Sequence, residues 1–117
     1  MSQELNKALE KMTGAYCEEA PAAAQYPYMV FSARRLSESG GKQVYALEVN
    51  AWDQHQYYSR AEELMDGLER ELHQCSCMTG RFLIRIFKGQ RQNVPDPDKG
   101  IKRVREQFEM HVYEMEA

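Results

Sequence analysis

The chain has 117 residues, 43% hydrophobic and 28% charged, with a net charge of −3. That length fits a single domain spanning residues 1–117, and that balance argues against disorder. No apolar run approaches the roughly 20 residues of a membrane helix, and a mildly acidic chain has no global attraction to nucleic acid.

Leu5, Ala8, Leu9, Met12 and Tyr16 recur at helical spacing, with Ser2 placed to cap the start and Gly14 to stop the helix. This charged amphipathic start is unlike a secretion signal and points to a protein that stays in the cytoplasm where it is made. Pro21 and Pro27 then interrupt helix in CEEAPAAAQYP. Tyr28 to Leu36 suits a strand, and Gly40-Gly41 a hairpin turn. In the next strand Tyr45, Leu47, Val49 and Ala51 share one face, and Trp52 closes it.

Ser59 and Glu62 have capping-box spacing ahead of Ala61, Leu64, Met65, Leu68 and Leu72, a buried helical stripe. Gly67 interrupts that helix and suggests a neighbour packed close against it. From Arg81 to Lys88 a strand turns Phe82, Ile84 and Ile86 to one side. The segment GQRQNVPDPDKG is rich in Gly, Pro and Asp and predicts a loop. The last strand, from about Val104 to Met115, points Phe108, Met110 and Val112 inward. The expected fold is therefore α+β: two helices packed on one face of a four-stranded, mainly antiparallel sheet, in the order α-β-β-α-β-β.

Catalytic chemistry is not implied. His73, Cys75 and Cys77 resemble metal ligands, but a fourth would have to come from afar. They read as a helix-end histidine and two small thiols, and with Cys17 they make an odd set of free cysteines suited to a reducing compartment. Asp96 and Asp98 read as loop carboxylates bonded to backbone. No triad, phosphate loop or cofactor motif is present, so no cofactor and no metal are expected.

Charge is uneven. Between residues 81 and 105, eight basic side chains (Arg81, Arg85, Lys88, Arg91, Lys99, Lys102, Arg103, Arg105) face only Asp96 and Asp98. That local +6 leaves −9 elsewhere, a split suited to nucleic acid or to an acidic surface on an identical neighbour.

The amphipathic first helix, YPYMVFS after a Pro-containing linker, LEVNAWD, and the helix YSRAEELMDGLEREL follow one another in a telling order. Together with VPDPDKGIKRVREQFEMHVYE they resemble bacteriophage tail terminator and tail completion proteins over approximately Leu5 to Glu114. The SESGGK hairpin is shorter than the connection in some relatives.

The resemblance implies a structural protein without a reaction: a homo-oligomeric ring, usually of six, that caps the tail tube and meets the head connector. DNA would pass only as cargo, with no membrane involved. The protein would assemble in the host cytoplasm and end in the virion. Candidate subunit contacts are Arg81, Arg85, Arg91, Asp96, Asp98, Lys99, Arg103, Arg105, Trp52 and Tyr57, from the first hairpin, the start of the second helix and the basic stretch. Another head–tail junction adaptor, or a small bacterial nucleic-acid-binding or regulatory module using residues 81–105, are the alternative readings.

Overall fold

The computed structural model describes residues 1–115. Its elements are α1 (Gln3–Thr13), β1 (Tyr16–Cys17), β2 (Tyr28–Ser39), β3 (Lys42–Gln54), α2 (Ser59–Leu72), β4 (Cys75–Thr79), β5 (Phe82–Val94) and β6 (Ile101–Glu114). The strands form one six-stranded sheet in the order β1-β2-β3-β6-β5-β4, curled into a half-barrel. β1 lies parallel to β2, while the other neighbouring pairs are antiparallel, so the sheet is mixed.

This corrects the expected four-stranded, mainly antiparallel sheet and its α-β-β-α-β-β order. β1 is two residues long, too short to show alternation, and exists through its pairing of Tyr16 with Val30 and Cys17 with Phe31. Tyr16 accordingly leaves the helical stripe and is exposed. β4, CSCMT, carries small and polar residues instead of the β-branched signature. β5 runs on through GQRQN, which reads as loop because its residues are polar and its ladder is bulged between Lys88 and Arg91.

The buried pattern follows the alternation. Leu47, Val49, Ala51, Ile84, Ile86, Val104 and Met110 have no exposed surface, and Phe108 and Val112 almost none. Over them lie Leu5 and Leu9 of α1 and Ala61, Met65, Leu68 and Leu72 of α2, in one continuous core. Ser2 Oγ accepts the Leu5 N–H at 3.2 Å, and Gly14 closes α1 at a φ of 68°.

The start of α2 differs from the capping-box expectation. Tyr58 occupies the cap position in a helical conformation, without a side-chain bond, and Ser59 is already helical. Gly67, which costs about 1 kcal/mol relative to alanine in a helix, has no close neighbour in its own chain. A Cβ there would meet only Arg70 Nη2, at 3.9 Å.

Gly89 in the β5 bulge is different: a Cβ there would lie 2.5 Å from the carbonyl oxygen of Gln107. Gly89→Ala is expected to destabilise the fold by roughly 1–3 kcal/mol in chemical denaturation, because strand backbone must shift. Ser59→Ala, lacking a cap bond to lose, should stay within about 0.5 kcal/mol of the natural chain.

Candidate functional site

Both helices cover the same side of the sheet, and period-two alternation leaves the opposite side bare. Across one row of that bare face the register sets Tyr28, Trp52, Arg103 and Val94 side by side. The Arg103 guanidinium lies 4.9 Å from the Trp52 ring centroid, and its Nε donates to Asn50 Oδ1 at 2.8 Å. Tyr28 stacks on Tyr26 at 5.3 Å and meets Tyr16 edge-on at 6.2 Å. One row further, Arg105 Nε approaches Glu48 Oε1 at 3.9 Å. At the far end Arg85 sits over Phe87 at 5.4 Å, and Lys42 over Tyr113 at 5.8 Å.

Among the strand residues, five basic side chains (Arg34, Lys42, Arg85, Arg103, Arg105) share this face with two acidic ones (Glu48, Glu109), while Glu18 and Glu19 border it at the Tyr28 and Trp52 end. A depression of about 380 Å³ on this face is lined by Glu18, Glu19, Tyr28, Trp52 and Arg103, among others. A broad, polar, aromatic-studded surface suits a macromolecular partner better than an enclosed small molecule.

Beneath α2 the chemistry is different. Arg91 donates through Nη1 to Asp66 Oδ1 (2.6 Å), through Nη2 to Glu69 Oε2 (3.0 Å) and through Nε to Glu106 Oε1 (2.7 Å). It therefore ties two turns of α2 to β5 and β6. At the start of α2, Arg60 grips the fully buried Asp53 through Nε to Oδ2 (2.9 Å) and Nη2 to Oδ1 (2.5 Å). The Arg60 bonds hold the Asp53 carboxyl below its ordinary range.

The basic stretch is thus divided rather than gathered into one patch. Arg85, Arg103, Arg105 and Trp52 lie on the bare face, whereas Arg91 is under α2. Arg81 pairs with Glu114 at 3.0 Å, away from both. Asp96 and Asp98 shape their turn, accepting the N–H groups of Asp98 and Gly100 at 2.9 Å each, and the Lys99 carbonyl accepts from Lys102 Nζ. Tyr57, 60% exposed, precedes α2 and donates its N–H to His55 Nδ1.

Sequence reasoning missed Asp53, Arg60 and Glu106. The odd-numbered inward run of β3 and the even-numbered one of β6 are the signal that reaches Asp53 and Glu106. Among the described residues no three His, Cys, Asp or Glu side chains converge as metal ligands, and His73 Nδ1 accepts the Lys88 N–H at 3.1 Å.

With this geometry in view, comparison places the chain in a fold class already seen in a solved assembly. A chain of a structure titled "Virion of native gene transfer agent (GTA) particle" superposes with a TM-score of 0.66, covering 90% of this chain and 84% of that one, at 12% identity. At that identity the likeness is one of fold. No protein-family model matches the chain, and neither does any curated protein.

Glu106 is fully buried, and no donor among the described residues reaches its Oε2. Burial raises its carboxyl to about 7 from an ordinary 4.5, helped by the Glu69 carboxylate, to which a protonated Glu106 donates. Glu69 is correspondingly lowered, chiefly by that same bond. Because the folded value of Glu106 is raised, its stabilising neutral form contributes fully below 4.5, and the contribution is lost as pH rises through about 7. The lowered Glu69 acts in the opposite sense, contributing above its ordinary range and losing that as pH falls. Glu106→Gln, which keeps a donor toward Glu69 without a titrating proton, should match the natural chain near pH 4.5 and exceed it by roughly 2 kcal/mol above pH 7. Urea denaturation across that range measures the difference.

Proposed function

We propose that this protein is a structural subunit of a phage-like virion, of the tail terminator or tail completion type. It would assemble on itself as a ring, of six copies as the resemblance implies, that caps the tail tube and meets the head connector. DNA would pass through the ring as cargo, and the chain would move from the host cytoplasm into the finished particle.

The observation that carries this reading is the shared fold over nearly the whole length of both chains with one from a gene transfer agent virion. The resemblance carried by the segments YPYMVFS, LEVNAWD and YSRAEELMDGLEREL is a second line of support. So is the bare sheet face, whose charged and aromatic side chains suit protein contacts. Arg103 and Arg105 on that face are retained as contact candidates.

Incubating the chain with polymerising tail-tube protein from the same genetic element tests the assignment. Negative-stain images should show tubes of uniform length with a ring at one end; tubes of uncontrolled length with bare ends would refute it. Reversing Arg103 and Arg105 together to glutamate should reduce capping about tenfold or more, and unchanged capping would remove that pair from the contact. Steeply salt-dependent DNA binding by the free chain would instead favour a nucleic-acid module.

A further inference from the structure

Two surfaces of this chain are complementary to each other, and among the described residues no other element covers either of them. The first is the bare sheet face with its five basic side chains. The second is the outer side of α2. There Asp66 and Glu69 are engaged by Arg91, but among the described residues Glu62, Glu63 and Glu71 have no ion pair, and Arg70 is the cation beside them in the helix. Gly67 lies in the same helix, in a position where a glycine is unfavourable and where nothing in its own chain needs the space. A bare helix turn flanked by unpaired carboxylates fits close approach by another backbone bearing basic side chains.

We propose that α2 of one copy docks, near Gly67, onto the bare sheet face of a second copy, so that subunits associate face to back. The two patches differ and lie on opposite sides of the sheet, so the contact is heterologous. Each copy then offers one patch to each neighbour, the arrangement that closes into a ring when the rotation between copies allows. Arg34 and Arg85 are exposed, have no ion pair among the described residues, and are the groups expected to meet Glu63 and Glu71.

This interface rests on the self-assembling reading above, and its test uses the free chain without tail tube. One variant carries Arg34→Glu with Arg85→Glu, the other Glu63→Lys with Glu71→Lys. All four positions are exposed, and circular dichroism verifies that both variants fold. In sedimentation velocity at low salt the natural chain should associate, each variant alone should associate roughly tenfold or more weakly, and an equal mixture of the two should regain assembly.

Gly67→Ala should raise the melting temperature of the monomer while weakening association. Either charge variant assembling alone like the natural chain, or no recovery on mixing, overturns this interface while leaving tube capping intact. A natural chain that stays monomeric at its highest soluble concentration overturns it as well, whereas absence of capping in the tube assay overturns the functional reading itself.

Discussion

Two helices of 11 and 14 residues can cover only one side of a six-stranded sheet, and everything else about this molecule follows from that limit. Period-two alternation sends Leu47, Val49, Phe108 and Met110 under the helices and delivers Asn50, Trp52, Arg103 and Arg105 to the other side. Such a half-covered sheet keeps its second face wet with charge, aromatic rings and amides, or places it against another molecule. The edge strands β1 and β4 are only 2 and 5 residues long, and the lengths of β2 and β5 that they leave uncovered carry bulges between Arg35 and Ser37 and between Lys88 and Arg91, which hinders simple strand-by-strand addition. Partners are therefore directed to faces more than to edges.

The covered side is held by more than apolar contact. Two acidic groups, Asp53 and Glu106, are carried into the interior by their place in the alternation, and each is met by an arginine. Arg60 belongs to the first turn of α2, and Arg91 reaches α2 from the sheet, so the two clusters fix both the position and the rotation of that helix. Buried ion pairs add little net stability compared with well-packed apolar groups, but an unmet charge there is strongly unfavourable. Their consequence here is orientation: with Asp66 and Glu69 turned toward Arg91, the outer side of α2 keeps Glu62, Glu63 and Glu71, which have no ion pair among the described residues, against the single cation Arg70.

Much of this was legible in residue order. The inward faces of β3, β5 and β6, the apolar stripe of α2, and the caps of α1 at Ser2 and Gly14 all follow from spacing and side-chain chemistry. β1 and β4 were not legible, because a two-residue strand has no period and Cys-Ser-Cys-Met-Thr has no strong strand preference. The polar run after Lys88 resembled a loop until pairing with β6 made it a strand, and only that pairing brings Arg91 against Glu106. A linear count of charge between 81 and 105 likewise merges side chains that the pleat sends to opposite faces. Ser59 carried the right residue type for a cap, one position too late.

The fold is shared with a chain of a virion particle, and the bare charged face and the acidic back of α2 are the two surfaces of the proposed contact between copies. The most direct measurement mixes copies of ordinary and heavy nitrogen, joins carboxylates to lysines with a zero-length cross-linker, and reads mixed-isotope peptides by mass spectrometry. Face-to-back docking predicts links from Glu63 or Glu71 of one copy to Lys42 of another. Links from those carboxylates that stay within one copy, or that reach only Lys7 and Lys11 of α1, would contradict it.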